Sequence, residues 1–244
     1  MPKEKTTKKP HPAARPARVS LSDVAYQALR EHVLNLTLPA GELLNERRIC
    51  DLLGLGRTPV HQALQRLHQE GFIEVVPRKG ILVKPDSVSK IIDLLDARSI
   101  IEPVLAGRAA SLAKPDDIEE LKHIAAPIDD FGAHANGEPG SVDRFIERDR
   151  AFHAKLAAIS GSSVLMEMQK SLHERAMRFW YSDLWRTLDE HKAATEHAAV
   201  IDAIERGDAE AAAAAMGQHI DEITARLRKI QAMSPRQSLG AIVS

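Results

Sequence analysis

The sequence of 244 residues contains a single cysteine, Cys50, and few aromatic side chains (4%). One cysteine excludes an intramolecular disulfide and a cysteine-based zinc cluster, so a metal site would have to use histidines and carboxylates. No stretch approaches the ~18 consecutive apolar residues of a membrane-spanning helix, and the N-terminus lacks the apolar core of a secretory signal. We therefore expect a cytoplasmic protein that makes no contact with a membrane.

The charges of the chain are unevenly distributed. All 33 Lys and Arg and 34 Asp and Glu give a net charge of −1. Residues 1–84 hold 14 of these cations and 8 of the anions, so this part has a net charge of +6 and the remainder −7. A basic module joined to an acidic body is typical of a protein whose first part meets a polyanion such as DNA. The alternative is a solubilising tail, because six of the cations lie in residues 3–18.

The N-terminal part divides into a tail and a small domain. Residues 1–19 carry almost no bulky apolar side chain, which predicts a disordered basic tail. Within residues 20–84, apolar spacing and capping residues predict helices over 21–36, 46–53 and 58–69, followed by two short strands around a turn at 77–80. Three helices and a small β-hairpin form a winged helix-turn-helix.

The rest of the chain is predicted to be helical. Residues 85–232 show no comparable strand signal, and Ala, Leu, Glu and Ile recur at helical spacing. Breaks at 114–116, 132–140, 161–162, near Thr187 and at 207–208 predict an all-α bundle of six helices, and residues 233–244 read as a flexible tail. The fold class is therefore mainly α: a winged helix-turn-helix followed by a six-helix domain.

The start of the third helix carries the residues expected to meet DNA. In a helix-turn-helix, this end of the second helix of the motif enters the major groove, and neighbouring groups hold the phosphates. Any one of these polar residues could simply be a solvated surface group, but the clustering of several around one helix start favours DNA binding. Arg57 either grips a phosphate or reads guanine. The candidates are Arg47, Arg57, Thr58, His61, Gln62, Arg78 and Lys79.

Three segments of residues 24–84 resemble the winged helix of the GntR family: Leu44-Asn45-Glu46, Gly56-Arg57-Thr58-Pro59-Val60 and Pro77-Arg78-x-Gly80. The resemblance implies DNA contacts at Arg47, Arg57 and His61, and places Gly80 at the wing tip that enters the minor groove. The chain departs from the family where His61-Gln62 replaces the usual Arg-Glu. A titratable side chain thus stands in place of a fixed cation.

Polar residues on inward helical stripes suggest a metal site in the second half. Asp149 and His153 are four residues apart and share a face, whereas His197 and His219 lie among apolar residues of two later helices. Three imidazoles and one carboxylate suit a divalent ion: zinc first, with nickel, cobalt or manganese as alternatives. Ordinary hydrogen bonding within the core is the competing interpretation.

Residues 88–230 resemble the FCD effector domain of FadR-type GntR regulators, through Asp149-x-x-x-His153, Glu196-His197-x-x-Val200 and Met216-x-x-His219. The resemblance implies that Asp149, His153, His197 and His219 bind the metal and that a small organic or sugar acid is the effector. Arg98 matches a recurring arginine of the first helix and is the candidate for the effector carboxylate. His173, Arg175 and Arg178 are further candidates for lining the same cavity, whereas His191 is expected near the edge of the bundle. The competing interpretation of Arg98 is a surface arginine, exposed or paired with Glu102.

These observations predict a regulator rather than an enzyme. We expect a homodimeric repressor that binds a pseudo-palindromic operator in double-stranded DNA and is released by a small carboxylate bound beside a divalent metal. A regulator that senses the metal itself is the first alternative. A metallohydrolase is the second, because a three-histidine site can generate a metal-bound hydroxide, although it would leave the basic winged helix without a role.

Overall fold

The computed structural model describes residues 20–85, 87–126, 139–178 and 190–233. The predicted tail 1–19, most of the break at 132–140, the break near Thr187 and residues 234–244 lie outside this part. The N-terminal elements are, in chain order, α1 (Leu21–Leu34), β1 (Leu43–Leu44), α2 (Glu46–Leu53), α3 (Arg57–Gln69), β2 (Ile73–Val76) and β3 (Gly80–Val83).

Local capping sets the ends of the first two helices. The Ser20 side chain accepts a hydrogen bond from the backbone N–H of Asp23, and the Asn45 side chain accepts one from the N–H of Arg48. Both bonds satisfy donors that the first turn of a helix leaves unpaired. Helix α2 ends at Gly54, whose positive φ of 63° is the left-handed conformation that favours glycine.

The sheet has three strands, whereas the sequence predicted a two-stranded hairpin. Strand β3 lies between β1 and β2 and pairs antiparallel with both, with Ile81 opposite Leu44 on one side and Val75 on the other. Strand β1 was missed because two residues are too short to show the alternation that identifies a strand. The sheet and three helices enclose a core of their own, which includes Ala25, Leu29, Val33, Leu67 and Val83.

The C-terminal domain is helical, as predicted. Its described elements are α4 (Val88–Leu112), α5 (Pro115–Ala125), α6 (Pro139–Ile159), α7 (Ser163–Met177), α8 (Glu190–Glu205) and α9 (Ala209–Met233). Helix α4 packs most extensively against α9 and also contacts α6, α7 and α8. A β-carbon added at Gly107 of α4 would lie 3.0 Å from the carbonyl oxygen of Ala209, so glycine permits this close approach.

The two halves have separate apolar cores. The C-terminal core is built mainly from aliphatic side chains of α4, α6, α8 and α9, with Phe152 and Leu121 fully buried. None of the helices in the described part is long and apolar enough to cross a bilayer. The central position of α4, directly after the winged helix, brings its polar residues to the middle of the bundle.

Candidate functional site

The first turn of α3 presents polar side chains to solvent. Arg57, Thr58, His61 and Gln62 are exposed, while Val60, Ala63, Leu64 and Leu67 of the same helix are buried in the winged-helix core. Gly56 precedes the helix and supplies no side-chain cap, so backbone N–H groups of the first turn remain open to an anion. The helix is thus anchored by one face and offers the other to a ligand.

The neighbouring helix α2 and the wing add further cations. Arg47 is exposed, whereas Arg48 beside it forms a 2.5 Å ion pair with Glu42. His61 Nδ1 lies 3.5 Å from Glu46 Oε2 at the edge of α2, which links the recognition helix to its neighbour. The polar face therefore extends over both helices of the motif.

The wing tip is formed by Pro77, Arg78 and Lys79 rather than by Gly80. Arg78 and Lys79 are exposed, and Arg78 has a positive φ of 64°. Gly80 is the first residue of β3 and has a φ of 128°; a β-carbon there would lie 2.4 Å from the carbonyl oxygen of Leu44. Gly80 therefore allows β1 and β3 to approach, and two cations project from the turn before it.

In the C-terminal domain, four buried side chains from three helices converge. They are Asp149 and His153 of α6, His197 of α8 and His219 of α9, and each offers a nitrogen or oxygen within 4.8 Å of the others. Asp149 Oδ1 lies 3.7 Å from His153 Nε2 and 3.6 Å from His197 Nε2. Donors bonded to one ion at ~2.0–2.2 Å usually stand roughly 3.0–3.4 Å apart, close to these separations, so the donor set fits a divalent metal.

Two of these donors make no hydrogen bond within the described part of the chain. The Nε2 atoms of His197 and His219 are buried, and neither has a hydrogen-bond partner among the described residues. Buried polar atoms are normally paired, because an unmade hydrogen bond costs about 1–3 kcal/mol. These nitrogens therefore point to a bound group that completes the cluster.

Carboxylates outside the cluster orient two of its imidazoles. His219 Nδ1 lies 2.7 Å from Glu196 Oε2, and His153 Nδ1 lies 2.5 Å from Glu102 Oε2. A proton held on Nδ1 leaves the Nε2 lone pair free for a metal, which is the arrangement found around many metal-binding histidines. Neither glutamate was predicted as part of the site, since carboxylates are abundant in the sequence and their spacing does not mark them.

Arg98 of α4 lies beside the cluster and is completely buried. Its Nε donates to Glu102 Oε1 at 2.6 Å, and its Nη2 is 3.5 Å from His153 Nε2. Burial opposes ionisation of Glu102, but Arg98 and His153 outweigh it and hold the pKa of this carboxyl well below its usual range. The Arg98 Nη1 atom has no partner in the described part of the chain.

His173 of α7 completes the polar interior. It is buried, and its Nε2 lies 3.4 Å from Asp149 Oδ2. Burial and the nearby Arg98 charge hold the pKa of His173 well below its usual range, while burial and neighbouring histidines do the same for His197. Both imidazoles are therefore neutral near pH 7, the form in which histidine binds metals.

The remaining sequence candidates lie elsewhere. His191, which the sequence placed at the bundle edge, has a side chain that is 81% exposed. Arg175 and Arg178 of the α7 C-terminus, considered as lining the same cavity as His173, instead approach the Phe72 ring and the carbonyl oxygen of Lys84. A cleft beside the cluster is lined by Asp149, His197 and residues of α5, α6 and α8.

Two family comparisons agree with this division of the chain. The family described as "Bacterial regulatory proteins, gntR family" matches residues 21–83, and the FCD domain matches residues 93–222. The second match alone covers more than half of the chain. Together they span both the exposed cationic face and the buried cluster.

Curated relatives of similar length are regulators of transcription. The chain is 24% identical to the HTH-type transcriptional repressor RspR of Escherichia coli K12 over 209 residues, covering 84% of this chain and 88% of that protein. It is 27% identical to the Uxu operon regulator of Haemophilus influenzae over 226 residues, with coverages of 82% and 79%. These relatives are described as regulators of transcription, which supports the predicted regulator over the metallohydrolase alternative.

Solved structures share the fold. Escherichia coli McbR/YncC has a TM-score of 0.72 at 19% identity and covers 87% of this chain and 99% of its own. A transcriptional regulator from Rhodococcus sp. RHA1 has a TM-score of 0.69 at 20% identity, with coverages of 85% and 97%. The chain belongs to the GntR family of bacterial regulatory proteins and is a DNA-binding transcription regulator with an FCD effector domain.

Proposed function

We propose that this regulator is a homodimeric repressor whose operator binding is relieved by a small carboxylate bound beside a divalent metal. The observation that carries the proposal is that the buried Nε2 atoms of His197 and His219 make no hydrogen bond within the described residues, although both histidines belong to the cluster around Asp149. A core held together by hydrogen bonds alone would have paired them.

Asp149, His153, His197 and His219 are the proposed ligands. Nitrogen and oxygen donors of this kind suit zinc first, with nickel, cobalt or manganese as alternatives. When bound, the ion supplies positive charge and open coordination positions for the oxygens of an organic or sugar acid. Glu102 and Glu196 are the residues that keep two of the imidazoles in the binding tautomer.

Arg98 and His173 are the proposed effector-binding residues. The His153 Nε2 lone pair can accept a hydrogen bond from Arg98 or bind a metal, but it cannot do both. Nη2 also donates to Glu102 Oε2 at 3.4 Å, so Arg98 regains one N–H of Nη2 when His153 serves as a ligand, in addition to Nη1, which has no hydrogen-bond partner within the described ranges. A planar guanidinium with two free donors is suited to a carboxylate.

At the operator, Arg47, Arg78 and Lys79 are proposed to hold phosphates, and residues of the α3 N-terminus to read or grip the major groove. This second group comprises Arg57, Thr58, His61 and Gln62. Gly80 has no side chain to offer to DNA, and its proposed role is to support the turn that carries Arg78 and Lys79. One recognition helix per chain suits a two-fold symmetric dimer on a pseudo-palindromic site.

The dimer is supported by the outward face of α4. Ile100 and Val104 lie one turn apart on this helix and remain 72% and 51% exposed in the single chain. Neighbouring exposed apolar side chains often mark a surface that another protein covers. The repressor assignment follows the names of the relatives RspR and GlaR, each described as a transcriptional repressor.

The test combines metal analysis with operator binding. Purified full-length protein should contain close to one divalent ion per chain after reconstitution with zinc, and His197→Ala should lose it. A panel of organic and sugar acids is then screened for release of operator DNA from the zinc-loaded protein. Absence of stoichiometric metal overturns the proposed site, and a response to zinc without any acid favours the metal-sensing alternative.

Arg98 is tested by its lysine variant, because truncation would remove the cation that neutralises the buried Glu102 carboxylate. Arg98→Lys keeps the charge and loses the two-pronged donor geometry. We expect retained zinc and operator binding but a weakened response to the active acid. Arg108→Lys on the same helix is the matched control, since the Arg108 side chain bonds to the carbonyl oxygen of Ser160, away from the cluster.

A further inference from the structure

We infer that α7 is the coupling element of this regulator: its inner face senses the buried cluster, and its outer face docks the winged helix through an ion pair between Arg30 and Glu174. The inference rests on the proposed function in one respect, namely that the cluster is the ligand-sensing site. The docking contacts themselves are independent of any ligand.

The outer face of α7 binds α1 of the winged helix. Arg30 donates a hydrogen bond to Glu174, and both side chains are mostly buried at the contact, 13% and 9% exposed. Charges at this level of burial depend on each other, because removing one partner leaves the other desolvated and unpaired. The pair therefore holds the two domains in one relative arrangement.

Two further contacts extend this docking surface toward the linker. The guanidinium groups of Arg30 and Arg175 lie 5.5 and 6.0 Å from the centre of the Phe72 ring, one from each domain. Arg178 Nη2 donates to the carbonyl oxygen of Lys84 at 2.7 Å, directly after β3 ends at Val83. The C-terminal turns of α7 thus contact α1, Phe72 directly before β2 and Lys84 directly after β3.

The inner face of the same turns reaches the cluster. His173 immediately precedes Glu174, is buried beside Asp149, and has its ring centre 4.9 Å from that of His153. Neither nitrogen of His173 has a hydrogen-bond partner within the described ranges. Because successive residues of a helix move together, a displacement of His173 by a bound group also displaces Glu174.

The winged helix can leave this surface without stranding a charge. Arg30 Nε lies 3.8 Å from Glu70 Oε2, a carboxylate of its own domain that is more exposed than Glu174. When the domains separate, Arg30 keeps this partner, and Glu174 becomes accessible to water. A ligand can then shift the domains between the docked and the separated arrangement by its differential affinity for the two.

The experiment uses the full-length chain and its single cysteine. Nitroxides on Cys50 of α2 and on Glu119→Cys of α5 report the distance between the two domains by pulsed electron spin resonance; the Glu119 side chain is 75% exposed. Protein labelled at Cys50 alone gives the distances between copies. Zinc is the probe, added to chelator-treated protein, and zinc content is measured on the same samples.

The variant Glu174→Lys places two cations in the docking contact, and Glu167→Lys makes the same charge change at an exposed position of the same helix. We expect zinc to shift the distance distribution of the parent and of Glu167→Lys. Glu174→Lys should give a broader distribution before zinc and lose the zinc-induced shift while still binding zinc.

The inference is overturned if Glu174→Lys and Glu167→Lys give the same distribution, or if the parent binds zinc without any change in distance. A parent that binds no zinc instead overturns the proposed metal site, and the width of the Glu174→Lys distribution still decides the docking. Arg178→Gln is a second variant that tests the docking, because it removes the contact to the Lys84 carbonyl oxygen without introducing a repulsive charge.

Discussion

The two halves of the chain use polar residues in opposite ways. Around α3, cations and amides are exposed to solvent on a helix whose apolar face anchors it. In the effector domain, Arg98, Glu102, Asp149 and the histidines of the cluster are buried and depend on one another. The DNA-binding face therefore acts through contacts that can be removed one at a time. In the buried cluster, loss of any one side chain disturbs the interactions of all the others.

The largest expected effect comes from removing the metal. At 100–1,000 times its dissociation constant, an ion that binds only the folded state contributes about 3–4 kcal/mol to the free energy of unfolding. Chelation should therefore weaken hydrogen-exchange protection in α8 and α9 and leave α1 and α3 nearly unchanged. His191→Ala, at an exposed position, should behave like the parent. Equal losses in both halves would contradict the separation of the cores.

The next largest effect is expected from destabilising the winged helix without changing a polar side chain. Gly80→Ala places a β-carbon against the carbonyl oxygen of Leu44 at an unfavourable φ, and we expect a loss of roughly 2–3 kcal/mol in the free energy of unfolding. Gly41→Ala is the matched control, because Gly41 also has positive φ but has no atom within 4 Å of the added carbon. Urea unfolding measures both, and indistinguishable midpoints would count against the close approach of β1 and β3.

Removing one exposed cation should have a smaller effect that is confined to DNA. Arg57→Ala is expected to weaken operator binding by about 1–3 kcal/mol, or roughly 5- to 150-fold, with the fold retained. Fluorescence anisotropy over a salt series separates the two roles of Arg57, because a lost phosphate contact lowers the salt slope by about one and a lost base contact changes sequence preference. Arg206→Ala, an exposed position in the other domain, provides the control; equal affinities would exclude Arg57 from the interface.

The smallest effect tests a polar contact that is internal to the winged helix. Tyr26 donates to Glu70 at 2.6 Å, and burial raises the pKa of its hydroxyl to about 12 from 10.0. The stabilisation by the neutral hydroxyl is complete below pH 10 and is lost as the pH rises through 12. Tyr26→Phe should cost about 1 kcal/mol at neutral pH and reduce this alkaline loss. Parallel stability curves for the two proteins between pH 9 and 12 would disprove the contact.

Local signals predicted much of the fold. Asn45 and Gly54 mark α2 because a cap acts within one turn, and α3 begins one residue before its predicted start at Thr58. Strand β1 could not be predicted, since Leu43 acquires its partner, Leu82, only through the tertiary fold. The sequence therefore predicts elements that stabilise themselves and misses those that depend on distant pairing.

The buried cluster shows the same limit. Spacing predicts that Asp149 and His153 share a helical face and puts His197 and His219 on inward stripes of two later helices, but spacing alone left a metal site and ordinary core hydrogen bonding as alternatives. Glu102 and Glu196 were not predicted to orient imidazoles, because only the packing of α4 and α8 decides which of many carboxylates point inward. The sequence also suggested that Arg178 lines the effector cavity, whereas its guanidinium contacts the backbone of the linker at Lys84.

The pairing of α4 with α9 has a consequence for synthesis of the chain. The winged-helix core closes with β3, whereas roughly 100 residues separate α4 from the helix that covers it. At translation rates of about 5–20 residues per second, the apolar side of α4 waits roughly 5–20 s on the ribosome for α9 to emerge. We expect the winged helix to fold during translation while the apolar surface of the incomplete effector domain is still exposed. Chaperones should therefore bind the effector domain rather than the winged helix.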